Sequence, residues 1–301
     1  MIVVVAPGQG SQTPGFLTPW LGLDGARERL EALGEAADLD LVELGTTADA
    51  DTIKQTQVAQ PLIVAAGILT AWAIGRPITA TAGHSVGEVT AAAVSGVLSD
   101  ADAMRLVKVR GDAMADAAAA EPTGMAAVVG GDEAAVLSRL SELGLTPANR
   151  NGGGQIVAAG TLGALDALRE QPPSGARVIP LQVAGAFHTE HMRPAVDALR
   201  TFAATLSPAD PAATLWTNHD GSAVTSGATF LDLLVGQVAS PVRWDRCMES
   251  FASAGITGLV ELAPAGTLSG LAKRALKGVP AVAVKTPSDL AAAQDLLERM
   301  A

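Results

Sequence analysis

Five residues, Gly83-His84-Ser85-Val86-Gly87, restrict this chain to few folds. A serine in the spacing G-x-S-x-G belongs on a tight turn between a strand and a helix, where the glycines make room for a strained backbone. The neighbours supply both elements. Ile78 to Ala82 reads as a strand, although Thr79 and Thr81 polarise it, and Val86 to Val97 reads as a helix. A helix beginning at Val86 points its free N–H groups at the serine, where they can stabilise an oxyanion. Alone, the pentapeptide also fits a Gly-rich turn whose serine only caps a helix. The flanking strand and helix favour a nucleophile.

Elsewhere the pattern alternates strand and helix. Ile2 to Ala6 is a continuous apolar run ended by Pro7-Gly8, which suits a strand buried on both faces of a parallel sheet. Helices are expected near Asp24–Ala37, Gln60–Ile74 and Asp100–Met114. The middle of the chain differs. Met125–Val129, Thr146–Asn149, Gln155–Ala159 and Arg177–Val183 read as strands, with helices at Asp132–Leu143 and Leu162–Glu170. That order, βαββαβ, is the split pattern of ferredoxin-like units. After it come helices near Glu190–Leu206, 229–239, 243–254 and Thr267–Leu276, strands at Thr214–Trp216, Gly258–Leu262 and Ala281–Val284, and a last helix capped by Ser288. The expected fold is therefore α/β: an α/β-hydrolase-like large domain with a parallel sheet core (1–121 and 185–301) and an inserted ferredoxin-like small domain (122–184).

Composition narrows the function. Of 301 residues, 49% are hydrophobic and 17% charged, which excludes a disordered chain. The formal charge of −11 and the absence of tyrosine argue against nucleic acid as a partner. A single cysteine, Cys247, excludes an internal disulfide and reads as a small packed residue. Pro61 to Gly75, the longest apolar run, is short for a bilayer. A soluble cytoplasmic protein without metal is the expectation.

A nucleophilic serine needs a base, and four histidines compete. His84 adjoins the serine and should point away from it. His191 starts a helix, and His219 lies in the turn-like Asn218-His219-Asp220-Gly221. His188 lies between the small domain and the next helix, where a cleft would form, and leads modestly. A thioesterase or esterase shares G-x-S-x-G, but its histidine usually comes late, and only His219 lies beyond His191. A non-catalytic module of the same fold is a second alternative.

The chain resembles the malonyl-CoA:acyl carrier protein transacylase family, and is similar to the acyltransferase domains of polyketide synthases. The resemblance rests on Gly8-Gln9-Gly10-Ser11-Gln12, Gly83 to Glu88, Ala186-Phe187-His188, Gln57 to Pro61, Val109-Arg110-Gly111, Asn151 to Gly160 and Pro241 to Trp244. It implies Ser85 as nucleophile and His188 as base, oriented by the main-chain carbonyl of Gln237. It implies backbone N–H groups of Gln9 and Val86 as oxyanion hole, Arg110 as the partner of a malonyl carboxylate, and Phe187 and Gln60 as acyl-pocket residues. Phe187 would crowd a methyl branch, and Val86 replaces the Gln of other specificities. The implied substrates are malonyl-CoA and the acyl carrier protein, with no further cofactor, no membrane and a monomeric state. Lys273, Arg274 and Lys277 are candidates for docking the acidic carrier protein, against a merely solvated helix face.

Overall fold

The computed structural model describes residues 1–298. Two sheets organise it. The larger is built from β1 (Ile2–Ala6), β2 (Ala80–Gly83) and later strands from the C-terminal third. Between β1 and β2 lie α1 (Ala26–Ala37), α2 (Leu41–Thr46), α3 (Ala50–Lys54) and α4 (Thr56–Ile74). After β2 come α5 (Gly87–Val94) and α6 (Asp100–Ala120). Val3, Val4 and Val5 are wholly buried, as a central strand covered on both faces requires.

The second sheet contains β3 (Thr123–Gly130), β4 (Thr146–Gly152), β5 (Gln155–Thr161) and β6 (Ala176–Pro180), interleaved with α7 (Glu133–Glu142) and α8 (Leu162–Glu170). It is antiparallel throughout, in the order β4-β5-β3-β6. Alternation along β3 sorts the faces. Ala126 and Val128 join Val136, Leu140, Leu165 and Leu168 in a core of their own. Met125 and Ala127 line a cleft shared with the larger sheet.

The chain then forms α9 (Arg193–Ala203), β7 (Thr214–Trp216), β8 (Ala223–Val224), α10 (Gly227–Gln237), α11 (Trp244–Ser253), β9 (Gly258–Glu261), α12 (Thr267–Ala275), β10 (Ala281–Ala283) and α13 (Leu290–Glu298). The large sheet has the order β10-β9-β1-β2-β7-β8. Its strands are parallel except β8, which runs antiparallel to β7. Backbone bonds tie the small sheet to the segment between α10 and α11. Val242 N–H donates to Ala148 O (2.8 Å), and Arg150 N–H donates to Val242 O (2.9 Å).

Several expectations need correction. Short helices α2 and α3 were not foreseen; Asp40 and Asp49 cap them, accepting from the N–H groups of Glu43 and Thr52. Helix α4 starts at Thr56, not Gln60, so it is 19 residues long with a mean hydropathy of 1.5. That is long and apolar enough to span a bilayer by those criteria, yet 72% of the stretch is packed inside the fold. Helix α6 runs on to Ala120 through its alanines. Strand β6 ends at Pro180, short of the expected Val183. Ser288 does not cap the last helix. It lies in a 3₁₀ turn at Pro287–Asp289 that follows Thr286, and the Asp289 carboxylate accepts from the N–H groups of Lys285 and Thr286 (both 2.9 Å).

Candidate active site

Strand β2 delivers the chain into a turn at Ser85, whose φ of +54° is left-handed. A non-glycine residue there costs about 1–3 kcal/mol and persists only when its surroundings over-determine it. Here they do. His84 N–H donates to Ala6 O (2.9 Å) and Ser85 N–H to Asn218 Oδ1 (2.8 Å), while Asn218 Nδ2 donates to Gly83 O (2.7 Å). The two glycines are required by backbone contact. A Cβ on Gly83 would lie 1.9 Å from the carbonyl carbon of Gly87, and one on Gly87 would lie 2.2 Å from Ala6 O.

Ser85 Oγ stands 2.7 Å from His188 Nε2. On the other side of the ring, His188 Nδ1 is 2.8 Å from Gln237 O. A carbonyl can only accept, so Nδ1 carries the proton and Nε2 presents a lone pair to the serine. His188 also has a left-handed φ (+62°), pinned by its N–H bond to Val238 O (3.0 Å). Burial, and then the charge of Arg110, push its pKa down to about 3. The imidazole is thus neutral and able to take a proton.

Arg110, on α6, is 1% exposed. Its Nη1 donates to Gln60 Oε1 (2.6 Å) and its Nη2 to Gln237 Oε1 (2.9 Å), with Ser85 Oγ at 3.5 Å from Nη2. Burial lowers its pKa to about 10, partly opposed by the charge of Glu88, so it remains a cation at neutral pH. Glu88, in the first turn of α5, accepts from Asn218 N–H (2.5 Å) and from Gln237 Nε2. Burial raises its pKa to about 7 against the pull of those bonds and of Arg110.

Residues 3–292 match the profile of the family described as Acyl transferase domain. The chain belongs to the acyl transferase domain family. It is similar to a protein named malonyl CoA-acyl carrier protein transacylase from Mycobacterium tuberculosis, 56% identical over 296 residues, covering 96% of this chain and 98% of that one. A crystal structure of MCAT from the same organism superposes with a TM-score of 0.94 at 55% identity, covering 99% of both chains. A structure described as a type II PKS acyl-carrier protein in complex with its malonyl-transacylase superposes with a TM-score of 0.92 at 28% identity, covering 98% of this chain and 99% of that one.

In this acyl transferase every residue singled out for chemistry gathers at one place. Gln9, Gln60, Ser85, Val86, Phe187 and His188 line a cleft of about 210 Å³ between the two sheets, and Arg110 and Gln237 close its buried side through their bonds to Gln60 and Ser85. The remaining histidines stay out of the dyad. His84 Nε2 bonds Asn151 Oδ1 (2.8 Å), and its ring packs edge-on to Trp244. His191 pairs with Glu121 at the surface (2.8 Å), and His219 does not line the cleft. Cys247 is fully buried, and burial pushes its thiol pKa up, so it packs rather than reacts. Thr267, Leu268 and Leu271 bring α12 to the cleft, with Lys273 and Arg274 exposed farther along it. Lys277 lies past the C-cap of α12, so the three cations do not share one helix.

Sequence reasoning missed three participants. Asn218 read only as part of a turn. Glu88 was a motif member without a task. Gln237 was expected for its carbonyl, yet its side-chain amide also bridges Arg110 and Glu88. An acid directly after the second glycine of G-x-S-x-G, on the first turn of an apolar helix, is the signal that could have flagged Glu88.

Proposed function

We infer that this enzyme is a malonyl-CoA:acyl carrier protein S-malonyltransferase. The observation that carries the reading is a buried guanidinium, Arg110, 3.5 Å from the hydroxyl of a Ser85–His188 dyad. A cation fixed beside a nucleophile favours an acyl group that ends in a carboxylate, which a guanidinium holds with paired hydrogen bonds.

The steps follow from the atoms. Ser85 Oγ attacks the thioester carbonyl of malonyl-CoA while its proton passes to His188 Nε2. The Gln237 carbonyl steadies the resulting imidazolium through Nδ1–H. The N–H groups of Gln9 and Val86 receive the oxyanion. Collapse breaks the C–S bond, and the CoA sulfur leaves with the proton from Nε2. The phosphopantetheine thiol of the carrier protein then attacks the malonyl-serine ester, and the same transfers run in reverse. Phe187 and Gln60 bound the acyl pocket. A methyl branch crowded by Phe187 would cost about 1–3 kcal/mol, enough for preference but not for exclusion. The reaction needs no redox cofactor or metal.

The carrier protein serves fatty acid or polyketide synthesis, and the enzyme acts as a cytoplasmic monomer without membrane or nucleic acid partners. The order β4-β5-β3-β6 with two helices supports a ferredoxin-like unit over 122–184, and the β1–β2 core with α5 supports a hydrolase-like body over 1–121 and 185–301.

Intact-mass measurement tests the reading. Wild type mixed with malonyl-CoA should gain one malonyl group, and adding holo carrier protein should remove it to the carrier. Ser85→Ala should gain none. An adduct on the Ala variant, or loss of the acyl group to water faster than to the carrier, would overturn it.

A further inference from the structure

Arg110 is buried, yet its hydrogen bonds all run to neutral oxygens, those of Gln60, Gln237 and Ser85. A cation out of water needs an opposite charge close by. Glu88 supplies that charge in its ionised form, 1% exposed and acting on Arg110 across one intervening side chain. The intervening group is the amide of Gln237. Its Nε2 donates to Glu88 Oε2, and also approaches Ser85 O (3.2 Å) and Asn218 Oδ1 (3.3 Å). Its Oε1 accepts from Arg110 Nη2 (2.9 Å). Only one orientation of the amide satisfies both ends. Turned over, its NH₂ would face the guanidinium and its oxygen would face the carboxylate.

A direct Glu–Arg pair would occupy the guanidinium fork with a protein carboxylate. A neutral amide between the two lets the negative charge support the cation while leaving N–H groups free for a ligand. Arg110 Nε has no hydrogen-bond partner among the described residues. We propose that Glu88 is a positioning residue for acyl selection: through the Gln237 amide it holds the Arg110 guanidinium beside Ser85 with donors in reserve for the terminal carboxylate of the acyl group. The inference rests on the reading of Arg110 as the malonyl site.

The test compares kcat/KM for malonyl-CoA and acetyl-CoA in wild type, Glu88→Gln, Gln237→Leu and Arg110→Ala. In Glu88→Gln a single oxygen must serve two donors, so the Gln237 amide loses its fixed orientation. Gln237→Leu removes the spacer but keeps the main-chain carbonyl. Each should cut the malonyl-to-acetyl ratio by about tenfold, the scale of one mispaired buried polar group. A purely structural brace would lower both substrates alike. If Arg110→Ala collapses the ratio while folded Glu88→Gln and Gln237→Leu keep it, the positioning role is overturned and the malonyl site stands. If Arg110→Ala itself leaves the ratio unchanged, the underlying reading fails. Should Glu88→Gln not fold, Gln237→Leu decides alone.

Discussion

Glu88 and His188 sit in the same buried network with their pKa values pushed in opposite senses, and this has a thermodynamic signature. Glu88 rises from 4.5 to about 7, so between those values the folded chain binds more protons than the unfolded one and stability falls as pH rises. His188 drops from 6.5 to about 3, so over that range the unfolded chain binds more protons and stability rises with pH. The lowered His84 adds to the second slope. Between about pH 4.5 and 6.5 the acid and the histidine oppose each other. Glu88→Gln deletes the opposing member. Its stability should therefore rise with pH more steeply than that of wild type across this window. Urea midpoints collected over the window check it, and parallel curves for the two proteins would refute it. The glycines speak at the same scale. Their need was legible from G-x-S-x-G, but the contact that makes Gly87 obligatory comes from Ala6, far away in sequence.

Helix α12 joins the cleft to the surface. Thr267, Leu268 and Leu271 line the cleft, and Lys273 and Arg274 occupy the exposed last turn, where cations also suit the helix dipole. The enzyme carries a net −11, so bulk attraction would not bring it to an acidic carrier, and a local basic surface would have to offset the repulsion. Lys273→Glu combined with Arg274→Glu should raise KM for the carrier protein about tenfold at low salt, as expected for steering charges, and leave KM for malonyl-CoA within about twofold. Steady-state transfer assays at two ionic strengths measure this. An unchanged carrier KM would remove the patch from the docking surface. Helix ends were the least legible elements. Thr56 to Ala59 extend α4 because tertiary packing buries Thr56, Val58 and Ala59, not because their periodicity announces a helix.

The whole molecule is two sheets locked around one cleft. The free edge of strand β4 bonds the backbone of Val242, in the segment that follows the His188-orienting carbonyl of Gln237. A charged cluster reinforces the joint. Arg243 grips Asp245 through Nε and Nη2 (2.9 and 2.8 Å), and Arg150 approaches Asp245 (3.6 Å) while pairing with Glu133. Asp245 is only 16% exposed, so its pairs are less screened than surface ones. Asp245→Ala should cost about 1 kcal/mol, lowering Tm by about 2–4 °C in calorimetry. A Tm equal to wild type would mean that the backbone bonds alone hold the joint.

Local rules were enough for much of this protein. Apolar β-branched runs dictated the buried β1, the G-x-S-x-G spacing dictated the turn at Ser85, and the βαββαβ order dictated an antiparallel unit, because each depends on residues adjacent in the chain. On residues alone, His188 led the other histidines only modestly, and no spacing singled out Arg110. Family resemblance, not spacing, named their partners. Only the tertiary structure placed Gln237, from α10, between α5 and α6, so that one residue orients the base with its backbone and joins a buried acid to a buried cation with its side chain. Asn218, from the turn after β7, clamps the same elbow. Such partners lie 100 residues or more from Ser85 in the chain, and a pattern of nearest neighbours carries no information about contacts that only packing creates.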